Sequence, residues 1–582
     1  MPLVLSLELI EGAAETVNGT QGMNARLIET DILVVGAGIG GLLAALAAKR
    51  HGKSGTRVTL VDAWMAGRTG HSAFSNAWFV VVTPEDDVDE VAAEIVAGND
   101  GIADQLLVRE VLETSYARLK DLEGLEIKFP KENGIYIRRP TRGLDATRLT
   151  YPLGGGLEMC WRLRRGLLAE GVEILDRVFV TSLLCGAGER VIGAACIGSR
   201  SGEFLAVKAR ATIIATNAIT FRSGFARDLA GTGTLLAYQA GAILRNAEFS
   251  YTRPGTPKFY FEGITHAIQD GARFVNERGE RFMPLYEPVW GDQADVPRIA
   301  RAMAIEHRKG NAPLYLDMSG VPADQRESYI RSKVPWMACF YGKLGAEAKT
   351  DMFGRTPYYP QNQMTKMAIR TDAACRSDVP GLLAAGLAQA GCANHFAGFH
   401  IGMCIGTGWI AGRSAVEDLD SLPPPRLSAA EIAAAQRALA CEDAAAPESD
   451  RILRELQAVM FAVEVSVWKE ASRLTAAHAK IAALRAECDA ARAPHTHELV
   501  RLNETEAMLL AAELILRASL FRTESRVSHF REDCDFRDDA NWLCWVDIAA
   551  GVDGPTLSKT PVPTPLYPAV ANKNPAPRRA IS

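Results

Sequence analysis

The chain has 582 residues, enough for two or three domains with a large core. Its hydrophobic content of 48% and charged content of 23% are those of an ordinary globular protein, and its net charge of −5 offers no general attraction to nucleic acid or to an anionic membrane. No apolar run reaches bilayer length. The eleven cysteines are scattered without a Cys-x-x-Cys pair, which fits reduced thiols in a cytoplasmic enzyme and excludes an iron–sulfur cluster held by the usual motifs.

The first strongly patterned stretch predicts a dinucleotide-binding site. Ile32–Val35 is a short apolar run typical of a buried parallel strand, and a helical stretch follows it. Between them, Gly36, Gly38 and Gly41 form a G-x-G-x-x-G turn that lets the backbone approach a pyrophosphate at the helix N-terminus. A second strand ends at Asp62, where an acid binds a ribose hydroxyl. A glycine-rich turn in an unrelated α/β domain would not explain this order.

A small, polar loop follows at residues 67–76, as a segment that wraps a flavin requires. Here the chain resembles the fumarate reductase/succinate dehydrogenase flavoprotein superfamily, whose S-H-T/S-x-A-A-Q-G-G motif places His71 on the flavin-linking histidine and Asn76 on the glutamine. The resemblance implies that Thr69, His71, Ser72 and Asn76 contact FAD. It leaves two alternatives open: a covalent bond through His71, or a non-covalent flavin beside a hydrogen-bonded histidine.

Further elements continue the resemblance. Helices are predicted at 104–124 and 154–170, and strands at 172–175, 178–184, 191–197 and 211–215. In the family this order brings the backbone near Val180 to the adenine, and Ala215 to a point where the chain passes close to FAD. Asn217 replaces a family glycine, which asparagine can do at positive φ.

The predicted substrate domain departs from the dicarboxylate enzymes of the family. Arg253 stands where the E-F-x-Q-x-H-P-T motif has a substrate-binding histidine, although it could equally pair with Glu248. The proton-donating arginine of the family falls on Val296. Arg298 and Arg301 share one helix, so we expect only one of them to face the pocket, and we take Arg298 as the candidate.

A later stretch is predicted to return to the flavin. Gly386 matches a family glycine, while Leu387 replaces the glutamate that follows it. This chain has His395 where the family motif H-G-A-N-R-L-G-G-N-S has its arginine. It has Gln363 where the family motif H-Y-x-M-G-G-I has its histidine. The helix beginning at Ile401 is predicted to aim its N-terminus at the flavin, where its dipole stabilises a reduced, anionic ring.

The fold class predicted is α/β, with a Rossmann-like FAD-binding domain, an inserted α+β capping domain and a C-terminal helical domain. The predicted boundaries are an extension at 1–29, the FAD-binding domain at 30–245 and 361–420, the capping domain at 246–360, the helical domain at 426–550, and a proline-rich tail at 551–582.

Four residues that grip fumarate in the family are replaced here, so ordinary fumarate reduction is not expected. In motif details the nearest branch is the adenylylsulfate reductase alpha subunit, whose x-P-H-K-F-S-S-G sequence carries a histidine at His395. The lysine that follows that histidine, and the branch's large insertion, are missing. Sulfite or adenylylsulfate chemistry is therefore an alternative, and a different small anionic substrate is the first expectation.

Two classes of function remain. The first is an FAD-dependent oxidoreductase in which His395, Arg253 and Arg298 serve the substrate and a ferredoxin-type iron–sulfur subunit exchanges electrons. The second is a flavin-dependent protein that modifies or regulates a macromolecule, which would want a basic, aromatic face. The net charge of −5 and the acidic C-terminal helices argue against the second class. No second G-x-G-x-x-G appears, so a protein donor is favoured over NAD(P)H. We expect an oligomeric, cytoplasmic protein without a transmembrane segment.

Overall fold

The computed structural model describes residues 26–222, 230–255, 264–322, 324, 357–394, 398–442 and 449–568. Several predicted features lie wholly or partly outside these ranges: residues 1–25 of the N-terminal extension, residues 256–263, 323 and 325–356 of the capping domain, His395, and residues 569–582 of the proline-rich tail. The predicted α/β architecture is confirmed. It comprises a parallel sheet with helices, a capping sheet inserted in the chain, and a C-terminal group of helices.

The central sheet is parallel, and its inner strands are buried. Every residue of Ile32–Val35 is buried, as the unbroken apolar run predicts for a strand covered on both faces. The sheet has five strands, in the spatial order Leu382–Ala384, Ala211–Ile214, Ile32–Val35, Val58–Asp62 and Glu173–Asp176. The carboxyl ends of these strands meet at one edge, where ligands of open α/β sheets bind.

Two helices cross closely over this sheet because glycines remove the side chains between them. The helix Ile39–His51 follows the first strand, and the helix Phe399–Asp418 packs against it. A Cβ added at Gly408 would lie 2.4 Å from the carbonyl oxygen of Gly40, and one added at Gly412 would lie 2.2 Å from that of Ala44. No larger residue fits either position.

A second sheet flanks the central one. Its strands, in spatial order, are Arg26–Glu29, Phe204–Lys208, Val191–Gly198 and Val178–Cys185. Arg26–Glu29 falls within the predicted N-terminal extension, yet it pairs in parallel with Phe204–Lys208. The four described residues of that extension are therefore part of the folded core.

The capping sheet is antiparallel and lies within the predicted insertion. Its strands are Ser250–Gly255, Pro357–Thr365, Leu314–Asp317 and Arg273–Val275. The helix Val296–Arg308 packs beside it, capped by Asp295, whose Oδ1 accepts from the backbone N–H of Val296 at 2.7 Å. Asp295 thereby holds the start of this helix near the first capping strand.

The remaining elements fill out the three parts. The other helices before residue 300 are Gly70–Phe74, Val88–Gly98, Gln105–Gly124, Gly155–Ala169, Gly233–Gln239, Ile264–Gln269 and Met283–Tyr286. Short strands lie at Phe79–Val80, Lys131–Glu132, Ile135–Tyr136, Arg139–Pro140 and Arg148–Thr150. The C-terminal helices are Ala429–Arg437, Ser449–Met460, Val463–Ser466, Ala471–Ala490, Thr496–Phe521 and Asp539–Trp542. None of the helices in the described ranges has the length and apolar character of a membrane span.

The predicted proline-rich tail contains a strand. Thr556–Pro561 pairs antiparallel with Cys544–Ala549. On its other side Cys544–Ala549 pairs with Leu244–Arg245, which pairs in turn with Ala368–Ile369. Beyond it, the amide of Gln105 donates from Nε2 to the carbonyl oxygen of Tyr567 at 2.7 Å. The described part of the tail is thus bonded to the body of the protein.

A buried charge network joins the C-terminal helices to the capping strand. The side chains of Arg522, Glu248, Glu524 and Arg526 are all 0% exposed. Arg522 bonds to Glu248 through Nε at 2.8 Å and to Glu524 through Nη1 at 2.8 Å, and Arg526 bonds to Glu524 at 2.6 Å. The segment 522–526, Arg-Thr-Glu-Ser-Arg, therefore acts as a structural clamp.

Candidate functional site

One cavity of about 310 Å³ runs from the carboxyl edge of the central sheet to the capping sheet. Nearly all the residues predicted to contact a flavin line it; these are Gly36, Gly38, Asp62, Thr69, His71, Ser72, Asn76, Val180, Ala215, Gly386 and Ile401. They come from segments more than 300 residues apart in the chain. The cavity is therefore assembled by the fold, with the glycine turn at one end and the capping strand at the other.

The glycines of the first turn have separate roles. Gly36 has φ +101°, and a Cβ there would lie 2.7 Å from the carbonyl oxygen of Ala215. Gly41 does not line the cavity; a Cβ on it would lie 1.8 Å from the Gly36 oxygen, so it lets the helix sit against the turn. Gly38 and the N-terminus of helix Ile39–His51 line the cavity, and the first turn of any helix offers backbone N–H groups to an anion.

Asp62 ends its strand with the carboxylate held in place. Its Oδ2 accepts from the backbone N–H of Ala37 and its Oδ1 from that of Trp64, both at 2.9 Å. These bonds bring the end of the second strand against the glycine turn, so Asp62 stands on the cavity wall beside the phosphate cradle. This is the arrangement that the sequence predicts for a ribose-binding acid.

His71 is partly buried in the cavity wall, on the short helix Gly70–Phe74. Nδ1 of His71 lies 3.0 Å from Nδ2 and 3.2 Å from Oδ1 of the Asn217 side-chain amide, with which it shares a hydrogen bond. Burial lowers the pKa of His71 to about 4, so the ring is neutral at pH 7. Asn217 stands where the family motif has glycine, and this contact is one that glycine could not make.

Two buried polar atoms on the same wall suit a flavin. Oδ1 of Asn76 and Oγ1 of Thr216 have no hydrogen-bond partner among the described residues, and both residues line the cavity. Buried polar groups are nearly always bonded, so such atoms mark the place of a ligand with donors and acceptors of its own. Together with the glycine cradle, they fit the polar edge and the phosphates of FAD.

The capping end of the cavity is strongly basic. Arg253 lies there on the strand Ser250–Gly255, and Glu248, its alternative partner in the sequence, is instead bonded to Arg522. Beside it lies Arg142, which sequence reasoning missed. The Arg142 side chain is buried, with 5% of the residue exposed, and its Nε and Nη1 have no hydrogen-bond partner within the described ranges.

The surroundings of Arg142 show what its charge faces. Burial lowers the pKa of Arg142, the neighbouring Tyr251 and Asp295 raise it, and the positive charge of Arg253 lowers it further. Asp295 does not neutralise Arg142 by contact, because its carboxylate is engaged by the Val296 N–H and by Asn394 Nδ2 at 2.7 Å. Arginine cannot give up its proton in a protein. The result is a charged, buried guanidinium aimed into a cavity.

Arg298 and Arg301 lie elsewhere. Val296, at the start of their helix, lines the cavity, whereas Arg298 is not among the lining residues; its side chain is half exposed and paired with Glu287. Arg301 pairs with Asp535 at 2.6 Å. At about 100° per residue, Arg298 is about 200° round the helix from Val296, so it points away when Val296 points in. The expectation that one of the two arginines faces the pocket is not met.

Comparison with known proteins identifies the family. A family model for the FAD binding domain matches residues 31–400, and a model for the fumarate reductase flavoprotein C-terminal region matches residues 453–578. The chain belongs to the fumarate reductase/succinate dehydrogenase flavoprotein superfamily. As a member of that superfamily it is an FAD-dependent oxidoreductase, which confirms the cofactor and the class of enzyme predicted from the sequence.

Several relatives cover nearly the whole chain. The fumarate reductase (CoM/CoB) of Methanothermobacter marburgensis has one subunit that is 29% identical over 539 residues, which are 88% of this chain and 95% of the relative. The fumarate reductase flavoprotein subunit of Mycobacterium tuberculosis is 26% identical, over 90% of this chain and 95% of its own.

Solved structures of the superfamily share the fold. The E. coli quinol fumarate reductase superposes with a TM-score of 0.83 at 22% identity, covering 94% of this chain and 98% of its own. The adenylylsulfate reductase of Archaeoglobus fulgidus gives 0.76 at 19% identity, covering 93% and 97%. At these identities the likeness concerns the fold alone.

Proposed function

We propose that this flavoprotein is a subunit of a cytoplasmic oxidoreductase that acts on a small anionic substrate at the capping end of the cavity. Bound FAD would supply the two-electron chemistry. It would be held by the glycine turn, Asp62 and the loop around His71. An iron–sulfur partner would exchange the electrons. The observation that carries this proposal is the buried Arg142 guanidinium with its two unpartnered nitrogens.

A negatively charged substrate is expected because burying the Arg142 guanidinium without a partner costs free energy. A buried charge without a partner costs several kcal/mol, so it is retained where a ligand completes it. Arg142 and Arg253 lie close enough to repel each other, and this repulsion would be relieved by an anion between them. Guanidinium groups bind carboxylates and other oxyanions through paired N–H donors. We assign to Arg142 the substrate role predicted for Arg298, and keep His395 as a further anion-binding candidate.

The substrate is proposed to differ from fumarate. Val296 lines the cavity where the dicarboxylate enzymes have a proton-donating arginine, and Leu387 lines it where they have a glutamate. The basic groups present, Arg142 and Arg253, come from a different loop and a different motif position. The basic side chains of the cavity thus differ from those of the dicarboxylate enzymes, while the flavin cleft is kept. This difference supports an anionic substrate other than fumarate.

The proposal of an iron–sulfur partner is supported by the relatives of this chain. The relatives in M. marburgensis and M. tuberculosis are each named as one subunit of an enzyme. In the described ranges, no group of histidine, cysteine or acidic side chains is arranged to hold a metal ion. By analogy with these relatives, electrons would leave through another protein, and we expect the working enzyme to be oligomeric.

This gives a test of electron supply. The purified holoprotein is expected to be reduced within seconds by reduced methyl viologen or a reduced ferredoxin, and far more slowly by NADH, with the flavin band near 450 nm as readout. A known NADH-dependent flavoprotein assayed beside it serves as the control. Fast and saturable reduction by NADH would contradict the proposed protein donor.

We further propose that His71 carries FAD covalently. It is partly buried, neutral and in the cavity wall, which leaves it nucleophilic, and Asn217 fixes its orientation. We expect acid precipitation of the wild type to leave the flavin in the protein pellet. In His71→Ala the flavin should move to the supernatant, while Asn217→Gly should lower the attached fraction. A wild type that releases all its flavin on precipitation would contradict the bond and leave the FAD site unchanged.

A further inference from the structure

Lys366 and His400 form an unusual pair behind the basic end of the cavity. Lys366 is buried, with 5% of the residue exposed, and its Nζ lies 2.7 Å from Nε2 of His400. His400 stands in the first turn of the helix Phe399–Asp418 and lines the cavity. Its ring meets that of Tyr251 edge to face, with centroids 4.9 Å apart, and Lys366 Nζ is 5.3 Å from the same tyrosine ring.

Lys366 and His400 both replace a different residue of the family motifs. H-Y-x-M-G-G-I has methionine where Lys366 stands, and H-G-A-N-R-L-G-G-N-S has serine where His400 stands. Methionine and serine could not form this hydrogen bond. The two side chains lie 34 positions apart in the chain and meet only through the fold.

We propose that Lys366 and His400 are a proton-exchanging pair that serves the anionic substrate bound at Arg142 and Arg253. His400 is the catalytic member because it lines the cavity, and Lys366 acts through it. When the imidazole gives the proton on Nδ1 to the ligand, it takes one at Nε2 from Lys366 Nζ. The pair then lacks one proton, which the amine regains from solvent. This inference rests on the proposed function.

The other described ionisable groups on the cavity wall suit this task poorly. The arginines stay charged at all accessible pH values, and tyrosine ionises near pH 10. Burial raises the pKa of Cys404 to about 12 and lowers that of His71 to about 4. Asp62 is held by two backbone N–H groups at the glycine turn, and the carboxylate of Glu504 is paired with Arg222. Val296, where the resemblance places a proton-donating arginine, has no proton to give.

Lys366 is suited to exchange a proton near neutral pH. Burial lowers its pKa to about 7. The groups that face it are the imidazole of His400 and the Cys404 thiol from the helix, the Cys392 thiol from the preceding loop, Asp295 from the capping helix and the Tyr251 ring. The thiols are uncharged because burial raises the pKa of each. An anion at Arg142 and Arg253 would add the negative charge that raises the pKa of the pair.

Proton uptake on anion binding tests the pair. Malonate is titrated into the holoprotein by calorimetry at pH 7.5, in buffers of different ionisation enthalpy and at constant ionic strength. If binding raises the pKa of the pair from 7 by about one unit, the complex takes up about half a proton at pH 7.5, where malonate is fully ionised, and the uptake falls toward zero at pH 10. Lys366→Met, which removes the titrating amine, should bind malonate with retained FAD and take up no proton. His400→Ser should also bind malonate with retained FAD and should take up less than the wild type, because the amine has lost its partner at the cavity wall.

Lys469→Met is the matched control. Lys469 is also buried, its pKa is also lowered by burial to about 7, and its Nζ lies 3.2 Å from Nδ1 of His529, but it lies in the C-terminal clamp and not on the cavity wall. It should keep the wild-type uptake. Malonate binding without proton uptake in the wild type, or unchanged uptake in Lys366→Met or His400→Ser, would contradict the proton-exchanging role of Lys366 and His400. The proposed function would still stand. Absence of malonate binding in all proteins would overturn both.

Discussion

Replacing Glu524 with glutamine is expected to lower the free energy of unfolding by about 3–5 kcal/mol. The Glu524 side chain is 0% exposed and lies between two arginines that are equally buried. Its Oε1 accepts from Arg522 and Arg526, and its Oε2 accepts from Arg526 at 2.9 Å and from the Asp538 N–H at 2.8 Å. Glutamine removes the charge and presents an N–H to donors, so the two buried guanidinium groups are left with one carboxylate fewer. Arg522 keeps Glu248 and Arg526 keeps Asp539.

The measurement is urea-induced unfolding of the holoprotein, followed by near-ultraviolet circular dichroism. Glu455→Gln is the control, because Glu455 is half exposed and pairs with Arg451 one helical turn away. Such surface pairs contribute about 0–1 kcal/mol. If Glu524→Gln unfolds at the same urea concentration as Glu455→Gln, the buried network does not clamp the C-terminal helices to the capping strand.

Replacing Arg142 with methionine is expected to have the opposite effect on stability and a large effect on binding. No protein group among the described residues completes Nε or Nη1 of Arg142, so its removal takes away an uncompensated buried charge, and the unfolding midpoint should stay or rise. Malonate binding, measured by the shift of the flavin absorbance, should weaken at least about 30-fold, because truncating one member of a buried charge pair costs about 2–5 kcal/mol. The FAD content should be unchanged.

Arg278→Gln serves as the control for charge alone. Arg278 lies on the capping hairpin with its side chain 64% exposed and paired with Glu280, so its loss changes the net charge equally without touching the cavity. Its malonate affinity should match that of the wild type. An Arg142→Met protein that binds malonate normally but is destabilised would show that the guanidinium is structural.

The nucleotide end of the site could be predicted from sequence because its signals are local. Gly36, Gly38 and Asp62 sit at fixed offsets between a strand and a helix, and the backbone geometry they allow is set within about 30 residues. The buried strand at Ile32–Val35 and the Ser428 capping box with Glu431 were predictable for the same reason, and the structure has both.

The substrate end could not be predicted in this way because it is assembled from distant segments. Arg142 lies in a loop with other arginines, and nothing in the local sequence distinguishes the one that is buried. The family motif places Val296 at the position of the proton donor, and the sequence alone leaves open which neighbouring arginine faces the pocket. In the structure the phase of the helix brings Val296 to the wall and turns Arg298 away from it. Lys366 and His400 are 34 residues apart, and their contact depends on the packing of a strand end against a helix start.

The most direct test of the account is a crystal structure of the FAD-bound protein grown with malonate. The account predicts that the flavin lies along the cleft from the glycine turn and that malonate oxygens lie within hydrogen-bond distance of Arg142 Nε or Nη1, beside Arg253. A structure in which the Arg142 guanidinium binds the FAD itself or a protein carboxylate, with malonate elsewhere or absent, would contradict the assignment of an anionic substrate to this end of the cavity.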